Sequence, residues 1–324
     1  MQIDMYGFNA PPFLMTPDAR LFFSSTVHSR AYAHLMYGIA QREGFVVITG
    51  EVGAGKTTLV ERFCSELDPA AFAVARIMTT QVSGEDLLRL VADAFGAPST
   101  GDKAAVLHSI MAVLRDTSRR HVLIVDEAQA LTPSALEELR MLSNITDGGR
   151  ALLQTLLLGQ PQLRRIIASP DLDQLRQRIL ASFHLGALSG DETRSYIEHR
   201  LRAVGWEGNP SFEDRAFEVI HRFSGGVPRR INRLCARVLL ASSLENALHI
   251  TADVVEATAL ELEDDLGAGG AGQLVLNPPP RALDLEAMID DLAQRIEVLE
   301  RTTARRERAF DQLMALFAEP GSGR

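Results

Sequence analysis

The chain has 324 residues, enough for one large domain or two to three small ones. Apolar residues make up 46% and charged residues 23%, the balance of a soluble globular protein rather than a disordered or membrane-embedded one. With 33 basic and 42 acidic side chains the net charge is −9, which excludes a global electrostatic attraction to nucleic acid and leaves only a local basic patch as a route to it.

The N-terminal stretch MQIDMYGFNAPPF lacks a basic region followed by an apolar core, so it does not read as a signal peptide. No apolar stretch reaches the roughly eighteen residues of a membrane span. Cys64 and Cys235 lie far apart in predicted helices and read as core thiols of a reducing compartment. The chain reads as cytoplasmic.

Apolar runs predict strands at 45–49, 73–79, 122–125, 152–158 and 182–185. Helical patterns separate them at 55–66, 84–95, 102–117, 132–144 and 161–168. Such alternation implies a mostly parallel sheet covered on both faces. From the end of the first strand into the first of these helices runs GEVGAGKTT, residues 50–58, a G-x-x-x-x-G-K-[ST] loop. Its glycines let successive backbone N–H groups turn toward one anion, and the following helix adds its N-terminal partial charge. Gly50, Glu51, Val52, Gly53, Ala54, Gly55, Lys56, Thr57 and Thr58 are therefore candidate phosphate-binding residues. Lys56 is placed to reach the β- and γ-phosphates and Thr57 to ligate Mg²⁺.

A phosphate loop alone suits a kinase, a GTPase or an ATPase. The third strand ends in VDEAQ, with Asp126 and Glu127 at its C-terminal end, where parallel α/β sheets place ligand groups. Asp126 suits the Mg²⁺ site and Glu127 a general base for attacking water. The pair argues for hydrolysis.

Beyond residue 190 the strands are expected to stop. Helices follow at about 191–204, 211–224, 228–245 and 251–264, forming a small helical domain. A Gly- and Pro-rich linker covers 266–281, and a last helix spans 282–318. In that helix Ile289 and Ile296 fall at a positions and Leu285, Leu292 and Leu299 at d, followed by Phe310, Leu313 and Phe317. Ile at a with Leu at d favours parallel two-stranded pairing. Thr303 and Arg306 interrupt the seam. A helix folded back onto the core and a membrane-surface helix are the alternatives.

A second set of motifs widens the reading: YGFNAPPFLMTPDARLFFSS, the phosphate loop, VDEAQ, LLGQPQLR, LRQRI and GGVPRRINRL. Together, over about residues 6–262, they resemble the general secretion pathway protein A (ExeA-like) family of AAA+ ATPases. The resemblance implies a P-loop α/β core over 1–189 with an N-terminal strap over 1–40, a helical lid over 190–265, and ATP with Mg²⁺ as cofactors. It gives Gln160 the polar sensor position near the γ-phosphate, with capping of the next helix as the alternative. Arg178, with Arg176 as fallback, matches the arginine inserted into a neighbouring subunit's site, which implies a homo-oligomer. Arg229 matches a second sensor arginine. Phe13, Phe22, His28 and Tyr32 fall in the strap, where a ring can stack on adenine or simply pack. Members of that family often continue into a membrane span and a peptidoglycan-binding domain; neither follows in this sequence, so no peptidoglycan function is carried over.

The expected function is Mg²⁺-dependent ATP hydrolysis driving assembly or conformational change in an envelope-linked secretion or polysaccharide-export process. A coiled-coil partner at the envelope, and recruitment by it to the inner membrane, are left open. Two alternatives stand beside this: an AAA+ regulator acting on DNA through VPRRINRLCAR, and a nucleotide-dependent scaffold with little turnover.

Overall fold

The computed structural model describes residues 5–14, 21–78, 82–116 and 119–267. The coiled-coil helix expected at 282–318, and the linker beyond residue 267, lie outside them. The chain packs as two units.

Of the described residues, the larger unit takes 14, 21–78, 82–116, 119–203 and 224–232. It is built on five parallel strands: β1 Phe45–Gly50, β2 Phe72–Met78, β3 Arg120–Asp126, β6 Leu153–Gly159 and β7 Ile179–Leu185. Their order is β2-β3-β6-β1-β7. Every residue of β1 and β6 is buried, and so is β3 after Arg120. Continuous apolar runs of this kind are what a sheet covered on both faces requires.

Alternate residues of each strand feed two cores. On one face Phe45, Val47, Leu123, Val125 and Leu157 pack against α3 Gly84–Ala94, α4 Lys103–Leu114 and α5 Pro133–Leu142. On the other, Val46, Ile48, Ile124, Leu156 and Leu158 meet α1 Thr26–Gln41 and α2 Lys56–Glu66. Side-chain caps set the helix starts: Ser25 for α1, Ser83 for α3, Asp102 for α4, and Thr132 with Pro133 for α5. The short helices α6 Gln162–Ile167 and α7 Asp173–Arg176 lead into β7.

The helix α8, Gly190–Arg202, counts with this larger unit, which displaces the expected break at 189/190 to 203/204. Its buried Tyr196, Ile197 and Leu201 account for that. So does Glu192, which completes a capping box with Ser189 and also accepts the Thr26 N–H at 2.8 Å.

The smaller unit comprises residues 5–13, 204–223 and 233–267 of the described chain. It contains most of α9 Asp214–Ser224 and of α10 Pro228–Leu244, and α11 Ala252–Gly267. Residues 5–13 pack here, so only the later part of the expected strap belongs with the sheet. The expectation that strands stop after 190 is also corrected. The segments β8 Ser211–Phe212 and β9 His249–Ile250 form a parallel pair. A hairpin, β4 Thr146–Asp147 and β5 Arg150–Ala151, turning at Gly148–Gly149, likewise escapes the sequence reading. Two-residue strands carry no periodicity to read. Among the described residues no helix is long and apolar enough to cross a membrane.

One close approach sets how α1 lies on the sheet. A Cβ at Gly38 would stand 2.1 Å from Val46 Cγ2. Buried Gln154 on β6 fixes the same corner by donating to Gly38 O at 2.6 Å and Glu43 O at 3.0 Å. Gly38→Val should therefore lower unfolding stability by about 1–3 kcal/mol through overpacking, read from urea denaturation.

Candidate nucleotide site

The strands β3, β6 and β1 lie side by side, so their C-terminal ends deliver three groups to one edge. From β1 comes the glycine-rich loop, from β3 the acidic pair, and from β6 Gln160.

The loop turns directly into α2, with Gly55 as its N-cap at φ 96°. That conformation favours glycine, and a Cβ there would also meet His28 Nε2 at 2.7 Å. Lys56 is buried, its Nζ donating to Gly50 O at 2.7 Å and Glu51 O at 3.0 Å. Burial pulls its amine below the ordinary value, while Glu127, Asp126 and Glu51 pull it back up. Thr57 Oγ1 lies 3.3 Å from Asp126 Oδ2. Ala54 is buried, whereas Glu51 and Val52 are exposed at the loop tip, and Thr58 lines the cleft.

Asp126 is 3% exposed. Glu127 follows in the left-handed region, φ 53° and ψ 37°. A non-glycine residue there is uncommon and clusters at functional sites. The turn aims its carboxylate at two amides: Gln129 Nε2 donates to Glu127 Oε2 at 2.5 Å and Gln160 Nε2 at 3.2 Å. Gln129 Oε1 in turn accepts the Gln160 N–H at 2.9 Å. The Gln160 side chain thus reaches Glu127 rather than capping α6.

A cleft of about 310 Å³ opens beside the loop. Lys56, Thr57, Glu127, Phe22, His28 and Arg229 are among its walls. Arg229, exposed at the start of α10, donates its backbone N–H to Gly53 O at 3.2 Å. Of the other strap rings, Tyr32 packs on Phe63 at 6.3 Å and bonds Glu66, and Phe13 counts with the smaller unit.

Sequence reasoning missed the far wall. Arg200 Nη1 donates to Tyr196 Oη at 2.9 Å, Tyr196 Oη to Asn232 Oδ1 at 2.8 Å, and Asn232 Nδ2 to Leu14 O at 3.3 Å. All three side chains are buried. The α8 spacing Tyr196–Arg200, one helical turn, was the available signal.

Arg178 stands just before β7, half-buried, with Nη1 3.4 Å from Ser143 O. Arg176 pairs with Asp173 at 2.6 Å. Neither lines this cleft.

Thr57 and Asp126 are hard oxygen donors and fit Mg²⁺. Among the described residues no cluster of three or more His, Cys, Asp or Glu side chains forms a complete cage. Phosphate and water would supply the remaining ligands, as Mg²⁺ usually requires.

Residues 39–167 match the model of the AAA domain. General secretion pathway protein A of Aeromonas hydrophila is 37% identical over 284 residues, 85% of this chain. The chain carries an AAA domain and is similar to general secretion pathway protein A. It spans about half, 51%, of that relative's length. Among solved structures, Cdc6p from Pyrobaculum aerophilum superposes with a TM-score of 0.61 at 17% identity, covering 78% of this chain and 74% of that one. The Aeropyrum pernix ORC2 protein does so at 0.55 and 18%, covering 72% and 66%. A Thermotoga maritima RuvB variant does so at 0.51 and 21%, covering 73% and 68%. At these identities the likeness is one of fold: the P-loop parallel sheet read from the sequence.

His28 links the strap to the loop. Its Nδ1 lies 2.7 Å from Ser25 Oγ, and it bonds the Ala54 backbone. Burial pushes its pKa below 6.5, against the Ala54 bond and the Glu192 charge, which raise it. On acidification the unfolded chain therefore takes up this proton first, so the His28 contribution to stability is present above about pH 6.5 and falls below it. His28→Gln should lose less thermal midpoint than the parent between about pH 7.5 and pH 5.5. An equal loss in both would show that His28 is not the group responsible.

Proposed function

We propose that the chain is a Mg²⁺-dependent ATP hydrolase whose turnover drives an assembly or conformational change in an envelope-linked secretion or export process. The observation that carries the chemistry is one edge of the sheet, where the ends of β1 and β3 bring Lys56, Thr57, Asp126 and Glu127 together, with Thr57 Oγ1 and Asp126 Oδ2 3.3 Å apart. The relationship to general secretion pathway protein A carries the setting.

In this reading the loop amides and the N-terminus of α2 bind the β- and γ-phosphates, and Lys56 turns from the loop carbonyls to them. Thr57 and Asp126 hold Mg²⁺, which neutralises phosphate charge when bound. Glu127 accepts the proton of the attacking water. Gln160 and Gln129 position the Glu127 carboxylate, and Gln160 also reaches toward the γ-phosphate. Arg229 approaches the phosphates from the start of α10. Phe22, Phe23 and Tyr196 offer rings for the base. Arg178 completes the site of a neighbouring copy, so the active form is a homo-oligomer. Residues 282–318 engage a coiled-coil partner that brings the chain to the inner membrane.

Glu127→Gln should bind ATP as the parent does but lower kcat by about 10²–10⁴-fold, the ordinary range for a general base. Binding is read by fluorescent-nucleotide titration and kcat by steady-state phosphate release. A parental rate at saturating ATP removes the base assignment. Arg178→Ala should also be slow; mixing it with Glu127→Gln should restore part of the rate, because some interfaces then pair an intact base with an intact arginine. No recovery, with subunit exchange demonstrated, contradicts action between copies.

A further inference from the structure

The acidic pair has a neighbour that neither the motif nor the proposed mechanism uses. Arg76 stands on the edge strand β2, in register with Ile124 of β3, two residues before Met78, which pairs with Asp126. Because strand side chains alternate, Arg76, Met78 and Asp126 share one face of the sheet. Along that face Arg76 Nη2 reaches Asp126 Oδ2 at 2.9 Å. The same carboxylate oxygen is the one 3.3 Å from Thr57 Oγ1. A second carboxylate waits nearby: Arg76 Nη1 is 3.6 Å from Glu61 Oε1. Glu61 is four residues after Thr57 on α2, so the two lie on the same helix face. Arg76 therefore sits between a buried carboxylate, its side chain 5% exposed, and an open one, its side chain 42% exposed.

The chemistry of the three groups differs toward a divalent ion. The Thr57 hydroxyl donates to Asp126 but also carries lone pairs, so by rotating it becomes a ligand. A guanidinium has donors only, stays charged at any working pH, and can offer an ion nothing but repulsion. Arg76 and a metal ion thus compete for one oxygen, while Glu61 gives the arginine a second seat without leaving the site.

We propose that Arg76 is a placeholder cation for Asp126: it holds the carboxylate with Thr57 until a divalent ion takes that oxygen, then withdraws to Glu61. It is a positioning residue that sets the metal concentration at which the site loads. The effect couples α2, through Glu61, to metal arrival. The inference rests on the nucleotide site proposed above.

The test is a Mn²⁺ titration of the full chain at saturating ADP, with free Mn²⁺ read from its electron paramagnetic resonance amplitude. Arg76→Gln should bind Mn²⁺ about tenfold more tightly than the parent, within the ordinary span of coupling between two sites. Arg76→Lys, which keeps the charge, should stay near the parent. Glu61→Gln should weaken Mn²⁺ binding, and that weakening should vanish once Arg76 is already Gln. Unchanged or weaker Mn²⁺ affinity in Arg76→Gln overturns the proposal, as does a Glu61→Gln effect of equal size in both backgrounds. If Arg76→Gln fails to fold, the Glu61→Gln arm decides alone: unchanged affinity overturns the placeholder. A parent chain that takes up no Mn²⁺ with ADP fails at the earlier step and removes the nucleotide site itself.

Discussion

The site depends on a constraint of strand order. The loop and the acidic pair come from β1 and β3, which are not neighbours; β6 lies between them. Only with β6 buried along its whole length and in parallel register with both can Thr57 and Asp126 come within 3.3 Å across its end. The same insertion puts Gln160 at the end of β6 and beside Glu127. The apolar cores on the two faces of these strands therefore fix the distances on which phosphate, metal and water chemistry would rely.

A second layer of contacts holds the site's polar groups in place. Glu127 occupies a strained backbone region and is met there by two amides. The Gly55 cap is set against the buried His28, which Ser25 orients in turn. Ser25 is also the N-cap of α1, and the Glu192 capping box of α8 reaches back to Thr26. Helix capping and the loop are thus joined through short polar links, of which the buried Ser25–His28 bond is the costly one to leave unmade.

Much of this was legible in the sequence, and for a physical reason. Central strands buried on both faces must be written as unbroken apolar runs, so FVVIT, HVLIV and LLQTLLLG mark β1, β3 and β6 within about two residues. A phosphate loop must place glycine, lysine and threonine at fixed spacing, so Lys56 and Thr57 were readable by position. What was not legible joins residues far apart in the chain. Arg76 to Asp126 and Tyr196 to Asn232 span 50 and 36 positions and leave no local pattern. Gln129 stood within VDEAQ, but nothing in the motif shows that its side chain turns back to Glu127. The division between units escaped because α8 reads as one more amphipathic helix; its buried Tyr196, Ile197 and Leu201 and its link to Thr26 place it with the sheet.

The most direct measurement of the central claim is phosphate release from ATP by the purified chain in Mg²⁺, at rising protein concentration, beside Lys56→Ala. The account predicts turnover by the parent that rises per chain with concentration and is abolished in Lys56→Ala, which loses the charge proposed to meet the β- and γ-phosphates. Equal turnover by both chains would place hydrolysis outside this cleft and contradict the account.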